Sequence, residues 1–224
     1  MAEVFHRSLL LAGPAGRLEA LLWTTSVGEP PLAAVVCHPH PLFGGTMHNK
    51  VVFQAAKALH RFGIPVLRFN FRGVGLSEGV HDKGRGEQDD LRAAIDYLAA
   101  DFPGRPILVV GFSFGSMVGL RVGCEDARAR ELIGLGLPAD YSKFDFLETC
   151  AKPKLIVQGG SDKFGSRENV KSVFAAMSEP KRLVIVEGAD HFFAGQLEKV
   201  GAAISEWLAE RHSRSATATG SENS

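Results

Sequence analysis

Charge of one sign is missing from this sequence: Lys and Arg together number 25, Asp and Glu also 25, and the formal net charge at pH 7 is zero. No long block of like charge occurs either, which argues against nucleic acid or an anionic membrane as the main partner. Cysteine is scarce: Cys37, Cys124 and Cys150 are odd in number, scattered and free of any Cys-x-x-Cys spacing. Such a set reads as reduced thiols in a core rather than as a disulfide framework. No apolar run approaches the length of a membrane span. Met1 to Leu11 carries Glu3, His6 and Arg7 among its apolar residues, so it lacks the basic start and apolar centre of a secretory leader. These absences set the expectation of a soluble, cytoplasmic protein. Its 224 residues suffice for one domain whose core needs neither disulfides nor metal.

What is present is periodicity of two kinds. Apolar or alternating runs over 4–11 and 17–25 flank Gly13-Pro14-Ala15-Gly16, the pattern of an antiparallel hairpin. From Leu32 onward, short runs rich in Val, Ile and Leu cover 32–37, 65–70, 106–110, 131–137, 154–158 and 182–186. Helical periods over 49–62, 87–100, 114–124, 166–177 and 196–211 separate them. Strands that are apolar throughout and spaced by helices imply an α/β fold: a mostly parallel, twisted sheet of about eight strands with helices on both faces. The interval 138–153 has room for a short helix but not for a cap domain. The domain is expected to span 1–212, and the tail 213–224, made of Ser, Thr, Ala, Gly, Glu, Asn and Arg without apolar periodicity, is expected to be disordered.

The strand over 106–110 runs into Gly111-Phe112-Ser113-Phe114-Gly115. This is a strand, a sharp turn and a helix, with Ser113 pushed out at the sheet's C-terminal edge and glycines where side chains would collide. In a chain with 25 glycines that pentapeptide alone says little. A serine nucleophile needs a base and a group to orient it, and in a parallel sheet these should also follow strand ends. Asp162 follows the run 154–158, and His191 follows the run 182–186. The order Ser113, Asp162, His191 is one of the orders that serine hydrolases use. Asp190, adjacent to the histidine, is a rival acid poorly placed to turn back on the ring, with Glu187 and Asp140 weaker substitutes.

Acyl transfer also needs donors for the oxygen that gains charge. The N–H of Phe114 is one, and the loop His38-Pro39-His40-Pro41-Leu42 offers His40 or Leu42 as the other, since Pro39 and Pro41 have no N–H. His40 is preferred. His38, His40 and His48 could also share a cation, but catalytic zinc sites usually add a carboxylate, so no metal and no cofactor is expected. Gly73-Val74-Gly75-Leu76-Ser77-Glu78-Gly79 has the wrong spacing for a dinucleotide loop. Arg72 beside it is read as a loop anchor rather than an anion site. Leu42, Tyr141, Phe144, Phe146 and Leu147 are the candidate apolar pocket.

Four motifs in order, 38–45, 68–79, 111–115 and Gly188-Ala189-Asp190-His191-Phe192-Phe193, resemble those of small lidless bacterial α/β-hydrolases related to dienelactone hydrolases and the Xaa-Pro dipeptidyl-peptidase-like group. The resemblance covers roughly 32–208. It implies the α/β-hydrolase fold and a Ser-His-Asp triad, carried here onto Ser113, His191 and Asp162. Dienelactone hydrolases proper use a cysteine nucleophile, and Ser113 departs from that. The resemblance does not imply a substrate; the expected activity is hydrolysis of small carboxylic esters through an acyl-serine, favouring short soluble substrates in the absence of a lid. A thioester, peptide or aminoacyl hydrolase of the same fold is the alternative, and a non-catalytic binding module the second. The expected partner is a small-molecule ester, with no nucleic acid and no membrane, and the expected assembly a monomer or homodimer.

Overall fold

The computed structural model describes residues 4–25 and 30–212. The hairpin is present as β1 (Val4–Gly13) and β2 (Gly16–Thr25), paired from Val4 opposite Thr25 to Gly13 opposite Gly16. There follow β3 (Ala33–Cys37), α1 (Lys50–Arg61), β4 (Val66–Phe69), α2 (Gly86–Asp101), β5 (Ile107–Phe112) and α3 (Phe114–Glu125). The chain then continues through β6 (Ala129–Leu135), β7 (Lys154–Gly159), α4 (Arg167–Ala176), β8 (Lys181–Val186) and α5 (Leu197–His212). All eight strands share one sheet in the order β1-β2-β4-β3-β5-β6-β7-β8. β2 pairs antiparallel with both β1 and β4, and every pairing from β4 across to β8 is parallel.

Every residue of β3, β4, β5 and β7 is buried, which is why these strands are mainly apolar on both faces, with Arg68, Lys154 and Gln158 as their buried polar members. Their side chains still alternate in direction. Val35, Cys37 and Val109 enter the core layer that includes Leu91 and Leu98 of α2 and Leu120 of α3, whereas Ala34, Val36, Leu108 and Val110 enter the layer shared with α1 and α5. On α1, Val51, Val52, Ala55, Ala56 and Leu59 form the buried face, and Asn49 Oδ1 caps the first turn by accepting from the Val51 N–H at 2.9 Å. α3 lies close on the sheet because Gly123 has no side chain: a Cβ there would come within 2.3 Å of Leu132 Cδ2.

Two expectations fail. Cys124, at the end of α3, and Cys150, ahead of β7, form a disulfide with Cα atoms 5.6 Å apart. Among the described residues only Cys37, buried in β3, is a free thiol. The fold brings the end of α3 against the connection leading into β7, an approach that spacing along the chain does not reveal. β6 starts at Ala129 rather than near 131. Its charged Glu131 is accommodated because Arg211 and His212 of α5 reach it at 3.0 and 3.2 Å. The connection from β6 to β7 holds a single 3-10 turn, Asp145–Glu148, and no cap. The tail 213–224 lies outside the described residues.

Candidate active site

At the junction of β5 and α3, Ser113 has φ 55° and ψ −120°, a strained combination for a residue that carries a side chain. Its glycine neighbours permit the bend. A Cβ on Gly111 would approach the Gly115 carbonyl oxygen to 2.1 Å, and one on Gly115 would come within 2.5 Å of the Cys37 and His38 carbonyl oxygens. The turn is pinned on both sides: the Ser113 N–H donates to Leu135 O at 2.9 Å, and Ser116 Oγ donates to Ser113 O at 2.6 Å. The hydroxyl therefore stands at the C-terminal edge of the sheet, where β7 and β8 also end.

The loops after those two strands bring Asp162 and His191 to it. His191 Nε2 lies 2.9 Å from Ser113 Oγ, and His191 Nδ1 lies 2.8 Å from Asp162 Oδ2. An ionised Asp162 fixes the tautomer, with Nδ1–H donating to the carboxylate and Nε2 left to accept the serine hydroxyl. Asp162 and His191 are only 6% and 5% exposed. The buried carboxylate is compensated by further donors: Gln158 Nε2 to Oδ2 at 2.7 Å, and the N–H groups of Phe164 and Gly165 to Oδ1 at 2.7 and 3.3 Å. The rival acids are engaged elsewhere. Asp190 Oδ1 accepts from the Phe192 and Ala194 N–H groups, Asp140 accepts from Ser166 and Asn169, and Glu187 pairs with Arg167.

Gln158 was not singled out above. Fully buried at the end of β7, it also accepts from the Leu137 N–H at 2.8 Å and donates to Gly165 O at 3.0 Å, tying the acid's loop to the loop after β6. The available signal was an amide side chain directly after the apolar run Leu155 to Val157.

Phe114 is the first residue of α3, so its N–H has no acceptor within the helix. In the loop after β3, the Leu42 N–H donates to His40 Nδ1 at 3.2 Å, leaving the His40 N–H as the unengaged one of the two candidates. The loop is held from beneath. His38 Nδ1 donates to Pro39 O at 2.6 Å, and its Nε2 accepts from the Phe71 N–H at 3.0 Å. Burial pushes the His38 pKa down to about 4, so the ring is neutral, and with both nitrogens engaged it has no lone pair to offer a metal. Arg68 Nη1 donates to Met47 O at 2.9 Å while its guanidinium lies 4.4 Å from the Trp23 ring centre. Burial lowers its pKa to about 10. The ring of His40 lies 5.0 Å from that of Phe114 and 4.9 Å from that of His81, and burial together with His81 lowers its pKa.

Arg72 is a loop anchor, as expected: it grips Asp90 at the start of α2, with Nη2 at 2.7 Å from Oδ1 and Nε at 3.0 Å from Oδ2. The candidate pocket divides. Phe144 and Leu147 are buried in the core, and the Phe146 ring packs against Phe144 and carries the Arg121 guanidinium at 4.3 Å, so these three belong to packing under α3. Leu42 and Tyr141 are exposed at the edge that holds Ser113. Tyr141 reaches the site only through Phe164, whose ring is 6.1 Å from that of Tyr141 and 4.6 Å from that of His191. Phe164 and Phe192, each two residues or fewer from Asp162 or His191, were not singled out above.

A model of the alpha/beta hydrolase domain matches residues 34–219. A protein from Rickettsia prowazekii (strain Madrid E) is 37% identical over 205 residues, 88% of this chain and 86% of that one. A solved alpha-beta serine hydrolase homologue from Coxiella burnetii superposes with a TM-score of 0.86 at 39% identity, covering 91% of this chain and 97% of its own. An α/β serine hydrolase without a lid from Xanthomonas campestris gives 0.85 at 36% identity, with coverages of 92% and 94%. With the sheet order, the serine turn at the end of β5 and these relatives in agreement, the chain belongs to the alpha/beta hydrolase family.

Proposed function

We propose that the protein is a serine carboxylesterase in which Ser113, His191 and Asp162 form the catalytic triad and the N–H groups of Phe114 and His40 form the oxyanion hole. The observation that carries this reading is the continuous line of hydrogen bonds from Ser113 Oγ through His191 to Asp162 Oδ2, with distances of 2.9 and 2.8 Å.

Ser113 Oγ attacks the ester carbonyl while His191 Nε2 takes its proton. Asp162 keeps the ring oriented and offsets the charge of the imidazolium that results. The carbonyl oxygen, now negative, is met by the two N–H groups, a contribution of about 3 kcal/mol per donor where one has been removed in other hydrolases. Collapse of the adduct releases the alcohol, protonated by His191 Nε2, and leaves an acyl-Ser113. Water, deprotonated by the same nitrogen, then attacks that acyl group and restores the serine. Nothing in this sequence needs a metal or an organic cofactor.

The test is kinetic. Ser113→Ala should lower kcat for a short-chain aryl ester by about six orders of magnitude, as loss of a triad serine does elsewhere, and an unchanged rate in the variant would sink the proposal. Acyl thioesters and aminoacyl anilides run alongside should be cleaved more slowly than the ester.

A further inference from the structure

Resting on the esterase reading, we propose that Phe164 and Phe192 form the subsite for the leaving alcohol and select esters whose alcohol part is apolar. When the tetrahedral adduct collapses, the bond between the former carbonyl carbon and the alcohol oxygen breaks. Its electron pair stays on that oxygen, which takes the proton from His191 Nε2. The alcohol oxygen must therefore lie within hydrogen-bond reach of Nε2, and whatever it carries lies beside the imidazole.

The surroundings of that imidazole are aromatic. The ring centre of Phe164 is 4.6 Å from it and that of Phe192 is 5.2 Å, while the fully buried Phe112 lies at 5.1 Å. Phe164 and Phe192 are 45% and 51% exposed. Both project from tethered backbone: the Phe164 N–H donates to Asp162 Oδ1 at 2.7 Å and the Phe192 N–H to Asp190 Oδ1 at 3.1 Å, so the hydrogen bonds that hold the acid and the histidine loop also place the Cα atoms from which these two rings extend. Keeping apolar surface this close to a reacting centre in water is unfavourable unless a ligand covers it.

Phe192 also walls a second space. A cleft of about 510 Å³ lies between the start of α1 and the loop leading into α5, lined by Phe192, Val51, Ala194 and Leu197, with Asn49 and Lys50 also in its lining. Its volume is in the range of small-molecule sites. An alkyl chain attached to the alcohol oxygen passes from the imidazole across Phe192 into this cleft, and a wider alcohol also meets Phe164, with Tyr141 behind it.

A series of n-alkyl butanoates tests the assignment, because the alkanol leaving groups have nearly the same intrinsic reactivity and only the chain changes. For the wild type, kcat/KM for the hexyl ester should exceed that for the ethyl ester at least about tenfold, since each methylene buried over half its surface is worth about a factor of two. In the double variant Phe164→Ser Phe192→Ser the hexyl-to-ethyl ratio should fall to within about threefold of unity. Leu10→Ser, which removes an exposed apolar side chain on β1, should leave it unchanged. The ratio is taken within one sample, so a misfolded fraction cancels. A ratio near one in the wild type, or a ratio that survives the double substitution, overturns the alcohol subsite while the esterase reading stands. Absence of any Ser113-dependent ester hydrolysis overturns both.

Discussion

An alcohol side chain such as that of Ser113 is a weak nucleophile near neutral pH, so in the proposed mechanism its reactivity depends on the groups that hold His191 ready to take the proton. Asp162 does this with one oxygen while four donors in all share its charge. Asp162→Asn keeps the shape but presents an amide to the imidazole and favours the wrong tautomer. Its kcat should fall by about four orders of magnitude, and the melting temperature should fall too, because either amide orientation sets an N–H2 against donors that Asp162 accepts from; steady-state kinetics and calorimetry on the same sample check both. His38 acts one layer below. Its buried ring stays neutral down to about pH 4, whereas in the unfolded chain it takes up a proton near 6.5. Between those values the unfolded state binds more protons, so stability is complete above pH 6.5 and is lost as the pH falls towards 4. The loss from this residue should be about 3 kcal/mol. Urea unfolding at several pH values reads it, and His38→Asn, which cannot titrate, should show a correspondingly shallower slope. Ser113, Asp162 and His191 were legible as candidates because each lies within five residues of a strand's C-terminal end: β5 ends at Phe112, β7 at Gly159 and β8 at Val186. Gln158 and the two phenylalanines were not, because a glutamine or an aromatic at a strand end has the same sequence appearance whether it packs or supports chemistry.

Among the elements, α3 carries the most constraint. It begins at the strained serine turn and packs on β5 and β6 through small residues. In its last turn Cys124 is joined to Cys150 across 26 positions of sequence. Closing a loop of that size should contribute about 3 kcal/mol by restricting the unfolded chain. Reduction, or the double substitution Cys124→Ser Cys150→Ser, should therefore lower the free energy of chemical unfolding by about that amount. The His191 to Ser113 geometry, at the other end of the helix, should be little affected, and the esterase rate per folded molecule measures that. Helices and strands were legible from period alone, since α1 repeats its apolar face at helical spacing, β3 and β5 are apolar throughout and β7 has an apolar centre, Leu155 to Val157. Strand order was not legible. That β3 lies between β4 and β5 depends on contacts between segments far apart in the chain, and the cysteine pairing depends on the same contacts.

Across the whole molecule, the parallel strands β3 to β8 all deliver their C-terminal ends to one edge, and that edge gathers both the chemistry and much of the exposed apolar surface. Leu42, Phe43, Tyr141, Phe164 and Phe192 are exposed there, while the formal charge of the whole chain is zero. Among the described residues no helix is long and apolar enough to cross a membrane, and no segment covers the edge as a cap. In the proposed mechanism, substrate approaches Ser113 directly from solvent across this apolar rim. The central claim, that Ser113 is the nucleophile activated by His191, is tested most directly by a fluorophosphonate, which reacts with a serine only when that serine is so activated. The account predicts one equivalent of label, mapped by peptide mass to Ser113, with parallel loss of esterase activity and no labelling of Ser113→Ala or of the denatured protein. Ester hydrolysis that persists with Ser113 unlabelled, or a label found on another residue, would contradict it.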